Sequence, residues 1–341
     1  MTGGGMTDEL RQLVDDIGRR SLDDRGQQGL PATFDVDLWR ILEETGLTRL
    51  TTAQDAGPIE SAIVLGGLAR CAAAVPIAET DLLAAWLAAE ADLPVPADGP
   101  MTVAIAAVDV DGGRLVGTAT DVAWPESPTV VLAARTAEAT HVAVLADAEP
   151  AVSHNLAGEP RGSIDFDVAA EDTVRLPARV HDELARRGAW ARSVQIVGAF
   201  DAAAELTAAH TRERIQFGRP LKAFQAVQHS LASLLGEVER ARAATALAVA
   251  AATDHGFDSP QADFAVTVAK VAVGRAVGPV TTIAHQLHGA IGVTIEHRLW
   301  LATMRARSWA DEFGTTGQHA RRLGRRALAA EDPWSLVVGS P

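Results

Sequence analysis

Tyrosine is absent from this chain of 341 residues, and cysteine occurs only once. A lone cysteine excludes an intrachain disulfide and a thiolate metal cluster, and the apolar neighbours of Cys71 predict a buried structural thiol. Aromatic residues make up 4% of the chain and hydrophobic residues 48%, so the core must consist largely of Ala, Val and Leu. A chain of this length can form one large unit or two to three subdomains.

Positive charge is also scarce. The formal net charge is −14 and the sequence pI is about 5.1, which argues against nucleic acid or an anionic membrane as the partner. No apolar run approaches the roughly 20 residues of a membrane span, and the start of the chain shows no signal-peptide pattern. We therefore expect a cytoplasmic protein whose residues 1–6 are disordered.

Apolar spacing and proline placement divide the chain into parts. Leu10, Val14 and Ile17 recur at helical spacing in a region that continues with Ala-rich and Leu-rich segments. Three prolines between residues 94 and 100 mark the end of this region. The predicted parts are an N-terminal helical domain (7–98), a shortened middle β-domain (99–178), a C-terminal helical bundle (179–330) and a tail (331–341).

Two local signals refine this division. In the β-domain, residues 102–108 and 114–117 flank an Asp-Gly-Gly turn and are predicted to pair as a hairpin. In the bundle, one helix is predicted to end at Gly256, and the next to begin with Ser259 as N-cap and Pro260 in its first turn.

Residues 214–229 carry the most informative pattern of the chain. A helix that ends at Arg214 breaks at Phe217-Gly218-Arg219-Pro220 and restarts at Phe224-Gln225. Such a junction presents a guanidinium, an aromatic face and amide groups, which suit a nucleotide with a pyrophosphate.

A second pattern, Gln286-Leu287-His288-Gly289-Ala290-Ile291-Gly292, lies farther along the chain. Glycines let the backbone approach a phosphate closely, and open amides at the start of the next helix can donate hydrogen bonds to it. Both patterns therefore indicate contacts to the same kind of ligand.

Together, at this spacing, the two patterns resemble the signature of the acyl-CoA dehydrogenase family, flavoenzymes that oxidise acyl-CoA thioesters. Ala290 replaces the second glycine of the family turn. The resemblance implies an α+β fold that is mainly α, with an N-terminal helical domain, a small middle β-domain and a C-terminal four-helix bundle. It also implies FAD as the cofactor, an acyl-CoA substrate, an electron-transfer acceptor and assembly into tetramers.

The resemblance assigns most of the FAD contacts to segments that reach a neighbouring subunit. By this assignment Arg214, Phe217 and Gln225 contact the adenine and pyrophosphate of FAD held mainly by that subunit. Thr315 matches a family threonine that follows a glycine. Four further residues are implied to contact the same dinucleotide: Gln286, His288, Gly289 and Gly292.

The chain departs from the family where the flavin ring and the catalytic base belong. Relatives use a glutamate to remove the α-proton of the thioester while the β-hydrogen leaves as hydride to the flavin, and the two positions that hold this glutamate correspond here to Phe313 and Gly188. Glu312 lies one residue away, which on a helix rotates a side chain by about 100°. We keep Glu312 as the candidate for a displaced base, followed by Glu183. The family strand beside the flavin ring has only Ala123-Trp124-Pro125-Glu126 as a counterpart, and proline has no N–H to donate.

The chain thus retains the residues that would contact FAD bound in a partner subunit. It lacks the residues that would hold a flavin ring within its own subunit. We predict a subunit of a hetero-oligomeric acyl-CoA dehydrogenase, of the actinobacterial type found in steroid side-chain degradation, in which a companion chain supplies the catalytic glutamate. One alternative is a self-sufficient homo-oligomer that uses Glu312 or another carboxylate. Another is a non-enzymatic scaffold that binds CoA esters or protein. No metal is expected, because no cluster of His, Asp and Glu has ligand spacing.

Overall fold

A computed structural model describes residues 3–26, 30–53 and 56–335 of the chain. The N-terminal region is helical, as the apolar spacing predicts. Its helices are α1 (Gly3–Asp24), α2 (Val36–Glu44), α3 (Pro58–Arg70) and a π-helical segment (Ala78–Ala85) that continues into α4 (Trp86–Glu90).

The first helix begins earlier than the sequence predicts. Disorder was expected through residue 6, but α1 includes residues 3–6, while residues 1–2 lie outside the described part. Val14 and Ile17 are buried and anchor the helix. Each residue added to an anchored helix gains a hydrogen bond, which explains why the helix extends into the glycine-rich start.

The middle region forms two four-stranded sheets. Its strands are β1 (Met101–Ala107), β2 (Val110–Asp111), β3 (Arg114–Ala123), β4 (Thr129–Arg135), β5 (Ala139–Leu145), β6 (Pro150–His154), β7 (Pro160–Ala169) and β8 (Val174–Pro177). The order is β1-β4-β5-β8 in one sheet and β2-β3-β7-β6 in the other. The register between β3 and β7 shifts between Ala119 and Val122, which marks an irregularity in the second sheet.

The hairpin prediction is partly wrong. The glycine turn does join two antiparallel strands, but these are β2 and β3. The longer strand β1 instead pairs in parallel with β4 in the other sheet. Because β1 is buried along nearly its whole length, it suits a sheet covered on both faces better than an arm of an exposed hairpin, and it forms the edge strand of that sheet beside β4.

The C-terminal region is a bundle of long helices. After α5 (Arg179–Glu213) comes a small hairpin of β9 (Ile215–Gln216) and β10 (Arg219–Pro220), followed by α6 (Gln225–His255), α7 (Pro260–His288), α8 (Leu299–Trp309) and α9 (Thr316–Ala329). The predicted boundary between α6 and α7 is confirmed. Gly256 follows α6 with a φ of +79°, and the Ser259 side chain accepts a hydrogen bond from the backbone N–H of Ala262 at the start of α7.

Three clusters of buried apolar side chains hold these parts together. The largest joins the N-terminal helices to the bundle and to the first sheet, the second lies inside the bundle, and the third lies between the two sheets. The predicted fold class, mainly α with a small β-domain between helical regions, is confirmed.

One helix meets the length and composition of a membrane span, contrary to the sequence prediction that no apolar run approaches that length. This segment, Pro260–Val293, contains α7, and 67% of its most apolar window is buried inside the protein. Such burial is typical of the central helix of a bundle.

Candidate active site

The two sequence patterns meet at one end of the bundle. His210, in the last turn of α5, stacks on His288, at the end of α7, with ring centroids 4.5 Å apart. The ring of His297 stands edge-on to His288 at 4.8 Å. The corner that begins at Arg214 and the glycine turn that begins at Gly289 therefore start from helix ends that touch each other.

The first corner presents its side chains outward. Phe217 is 91% exposed and has a φ of +51°, a backbone conformation that is rare for a bulky residue and marks a position worth a functional explanation. Arg219 lies over the ring of Phe224 at 4.1 Å, and Phe217 meets the same ring edge-on at 6.1 Å. Arg214 is exposed and forms no ion pair with any described residue.

The glycines of the second corner differ in their surroundings. Gly289 has a φ of +66° and open space where a side chain would be, whereas a methyl group at Gly292 would lie 2.6 Å from Cβ of His288. Gly289 can thus admit a ligand to the backbone, while Gly292 serves the packing of the turn. Gln286 is exposed.

Of the three histidines at this end of the bundle, His288 is the buried one. Its Nδ1 donates to the carbonyl of Ala284 at 2.8 Å, and its Nε2 is buried without a partner among the described residues. Burial lowers the pKa of His288 to about 4, so the ring is neutral at physiological pH. An orphaned buried nitrogen next to an open glycine fits a polar ligand at this place.

Thr315 lies elsewhere. It caps the start of α9: its hydroxyl accepts from the backbone N–H of Gln318, and the Gln318 side chain accepts from the backbone N–H of Thr315. Its neighbour Thr316 packs on Gly274, about 20 Å along α7 from Gly289 at the usual helical rise. The structure therefore does not bring Thr315 to the other predicted contacts.

The two positions that the sequence predicts for the catalytic base, Gly188 and Phe313, face each other. A methyl group at Gly188 would lie 2.3 Å from Cδ1 of Phe313, so the phenyl ring fills the space beside the glycine. Phe313 has a φ of +53° and follows a segment that is tied down by the buried Nζ of Lys270, which donates to the carbonyls of Ala310 and Glu312 at 2.9 and 2.7 Å. Neither position carries a group that accepts a proton.

Glu312 is held in ion pairs. Its two carboxylate oxygens accept hydrogen bonds from Arg161 at 2.5 Å and from Arg192 at 2.6 Å. Burial alone would raise the pKa of Glu312, but Arg192 and Arg161 outweigh it and lower that pKa below its ordinary value. A base matched to a weakly acidic carbon needs a raised pKa, so this environment disfavours Glu312 as a base. Glu183 pairs with Arg187 at 2.9 Å.

The ion pairs extend through the space between the β-domain and the bundle. Arg192 also binds Glu79. Glu159 accepts from Arg305 at 3.1 Å and from the indole N–H of Trp309 at 2.9 Å. The buried cluster is balanced in charge, with the arginines Arg161, Arg192 and Arg305 against the glutamates Glu79, Glu159 and Glu312.

Little room remains around this cluster. A void of about 20 Å³ lies between Trp124, Arg161, Arg192 and Trp309. A cavity of about 210 Å³ lies beside Phe313, lined in part by Glu79, Asp121 and Glu312, and it is smaller than the roughly 300–1,000 Å³ of ordinary ligand pockets. Arg192 also lines this cavity and pairs with Glu79 and Glu312, so the carboxylates there are largely neutralised, and the small volume does not fit a flavin ring together with an acyl thioester.

Sequence reasoning missed most of the residues that form this interior. Arg161 lies on β7, Arg192 on α5 and Arg305 on α8, and no local pattern links three isolated arginines on three elements. His210 was within reach of a sequence argument, because it lies one helical turn before Arg214. Among the described residues no group of three His, Cys, Asp or Glu side chains is placed to hold a metal.

Comparison with known sequences agrees with the motifs. The profile of the acyl-CoA dehydrogenase C-terminal domain matches residues 180–328. The chain is 30% identical to acyl-CoA dehydrogenase FadE27 of Mycobacterium tuberculosis over 374 residues, covering 97% of this chain and 96% of that protein. It is 28% identical to acyl-CoA dehydrogenase IpdE2 of Mycolicibacterium smegmatis over 300 residues, covering 85% of this chain and 88% of that protein.

Solved structures show the same architecture. A chain of the ChsE4–ChsE5 complex from Mycobacterium tuberculosis superposes with a TM-score of 0.80 and 25% identity, covering 95% of this chain and 97% of that one. Butyryl-CoA dehydrogenase from Megasphaera elsdenii shares the fold with a TM-score of 0.79 at 17% identity, covering 96% and 99%. With matching sequence over nearly its full length, and both sequence motifs at one end of the bundle, the chain belongs to the acyl-CoA dehydrogenase family.

Proposed function

We propose that this chain is one subunit of a hetero-oligomeric acyl-CoA dehydrogenase. It contributes the residues that contact the adenine end of FAD bound mainly by a companion subunit. The companion supplies the catalytic glutamate and the pocket for the flavin ring. The reaction is the α,β-desaturation of an acyl-CoA thioester, and a steroid side-chain thioester is the substrate class that the family resemblance favours.

The observation that carries this proposal is the packing of Phe313 on Gly188. Both positions from which relatives remove the α-proton lack a carboxylate here, and the neighbouring Glu312 is paired with two arginines. A chain with this interior needs its base from elsewhere. The similarity to a chain of the ChsE4–ChsE5 complex, whose name indicates two different subunits, supports assembly with a companion.

The exposed end fits a dinucleotide, and its residues have distinct roles. The guanidinium of Arg214, which forms no ion pair with a described residue, suits the pyrophosphate, because arginine matches phosphate oxygens bidentately. The outward ring of Phe217 offers an apolar face to the adenine. The open backbone at Gly289 lets a phosphate approach, and buried His288 supports the turn. FAD, when bound, supplies the acceptor for the hydride.

The proposal is tested by the flavin content and activity of two preparations: this chain alone, and this chain produced together with the product of an adjacent acyl-CoA dehydrogenase gene. We expect a colourless single chain, and a yellow complex that desaturates an acyl-CoA with an artificial electron acceptor. A yellow single chain that desaturates acyl-CoA would establish the homo-oligomeric alternative. Flavin without turnover in both preparations would favour the non-enzymatic scaffold.

A further inference from the structure

Three histidine rings from separate elements meet at the exposed end of the bundle. His210 lies in the last turn of α5 and His288 in the last turn of α7, while His297 follows the glycine turn. The ring of His210 is nearly parallel to that of His288, at an angle of 23°, and the ring of His297 meets His288 at 68°. His288 is therefore in contact with rings from two other parts of the chain.

His210 also fixes the backbone of the first corner. The backbone N–H of Arg214 donates to the carbonyl of His210 at 2.9 Å and closes the last turn of α5. The backbone N–H of Leu221 then donates to the carbonyl of Arg214 at 2.9 Å. The place of Arg214 thus follows the place of His210, about one helical turn earlier.

His288 fixes the start of the second corner. Its ring is held by the hydrogen bond to the carbonyl of Ala284. Gly289 follows it directly and ends α7 with a backbone N–H that donates to the carbonyl of His285. A displacement of His288 would therefore move Gly289 with it. The stacked pair of His210 and His288 is a direct link between the two corners.

The rings stack without charge repulsion. Burial, and then the charge of Arg214, lower the pKa of His210. Burial also lowers the pKa of His297, and it lowers that of His288 to about 4, so all three rings are uncharged at neutral pH. Neutral aromatic rings packed in this way attract each other beyond the burial of their surface.

We propose that His210 is a positioning residue for the dinucleotide. By stacking on His288 it sets the separation of Arg214 from Gly289, so that the guanidinium and the open backbone contact one ligand at the same time. His210 acts through His288 and does not touch the ligand itself. This inference rests on the proposed function, because it requires that the two corners contact the FAD of the companion subunit.

The test uses the complex of this chain with its companion subunit and measures the Kd of FAD by titration of the flavin-depleted complex. His210→Ala removes the ring, so the two corners are held together in a smaller fraction of the molecules, and the apparent Kd should rise roughly three- to tenfold. His210→Phe keeps a stacking ring and should return the Kd to within about twofold of the intact complex. Excess FAD should restore the turnover of His210→Ala.

His181→Ala is the matched control. His181 is also a half-buried histidine of α5, but it lies about 40 Å from His210 at the usual helical rise, and its replacement should leave the Kd of FAD unchanged. Circular dichroism and gel filtration verify that each variant folds and assembles.

The outcomes separate this inference from the proposed function. An unchanged Kd in His210→Ala, where Arg214→Ala weakens binding, overturns the role of His210 and leaves the proposed function standing. An unchanged Kd in both variants, or a complex that binds no flavin, contradicts the proposed function itself and this inference with it. A raised Kd that His210→Phe does not reverse would show that the imidazole does more than stack, and would also overturn the proposal.

A second measurement needs no flavin. Urea unfolding of the single chain gives a double-mutant cycle for His210→Ala and His288→Ala. We expect the two changes to be coupled by a factor of roughly three or more in the unfolding equilibrium constant, as for other stacked ring pairs. Independent effects of the two changes would show that the rings do not hold the helix ends together, and the proposal would fall.

Discussion

Glu312 shows how the surroundings of a single carboxylate decide what it can do. It stands next to a family base position in sequence, yet both of its oxygens bind arginines. The charges of Arg192 and Arg161 overcome burial and keep its pKa below the ordinary value. The group is therefore held in ion pairs, which favours a structural contribution over a role as base.

The first prediction concerns Glu312→Gln. Arg192 keeps Glu79 and Arg161 keeps Glu159, but the buried cluster loses one of its negative charges, and the free energy of unfolding should fall by about 3 kcal/mol. Turnover of the assembled complex, per bound flavin, should stay unchanged at neutral pH. Urea unfolding and steady-state kinetics measure the two effects, with Asp311→Asn at the exposed neighbouring position as the control. Loss of turnover in a folded, flavin-loaded complex would instead identify Glu312 as the base.

The second residue with a strongly altered environment is His288. Burial lowers its folded pKa to about 4, whereas an unfolded histidine titrates near 6.5. Between these values the unfolded chain binds more protons than the folded chain, so stability falls as the pH decreases from about 6.5 towards 4.

We therefore expect His288→Gln to weaken the pH dependence of stability. Between pH 7 and pH 5 the intact chain should lose roughly 1–2 kcal/mol more than the variant. The measurement is urea unfolding at both pH values. His229→Gln, at an exposed position of α6, is the control and should follow the intact chain. A variant with the same pH dependence as the intact chain would refute the assigned role of His288.

At the scale of elements, the segment between α8 and α9 determines what lies at the base position. Lys270 of α7 binds its carbonyls, the ring of His319 lies 3.1 Å from the carbonyl of Phe313, and Thr315 with Gln318 caps the helix that follows. These contacts fix the turn in which Phe313 is directed against Gly188 of α5.

The third prediction follows from that contact. Gly188→Ala places a methyl group 2.3 Å from the Phe313 ring and should lower the free energy of unfolding by about 1–3 kcal/mol through overpacking. In a Phe313→Ala background the same change should cost much less, which a double-mutant cycle measures.

Gly236→Ala is the matched control for this cycle. Gly236 is also helical but has open space around the position of an added methyl group, so alanine should stabilise the chain by about 0.5–1 kcal/mol. Equal effects at both glycines would show that the packing of Phe313 on Gly188 is not tight.

At the scale of the whole molecule, the two ends of the bundle have opposite characters. The end next to the β-domain is filled by buried ion pairs. The end with Arg214 and Phe217 presents side chains that are exposed to solvent. In a protein of net charge −14, Arg214 pairs with no carboxylate of the described residues, so this end of the bundle suits an anionic ligand.

The fourth prediction tests this surface in the assembled complex. Arg214→Ala should weaken FAD binding roughly tenfold, the loss expected for one charge-assisted contact, and should leave the assembly of the subunits intact. Flavin retained after gel filtration provides the measurement. Arg40→Ala, which removes an exposed arginine of α2, is the control. Unchanged flavin content in the complex with Arg214→Ala would contradict the proposed contact between Arg214 and the FAD of the companion subunit.

The sequence by itself determined the fold class, the junction at Phe217, the glycine turn at Gly289 and the boundary between α6 and α7. Each depends on local periodicity, on turn chemistry or on motif spacing, which are properties of contiguous residues. The contact between the histidines of α5 and α7, the parallel pairing of β1 with β4 and the burial of Glu312 between two arginines were decided only by the tertiary structure. The same physical reason applies to all three. Whether a charge is paired, a ring is packed or a strand is buried depends on contacts between elements that are distant in sequence, and a local sequence pattern does not specify those contacts.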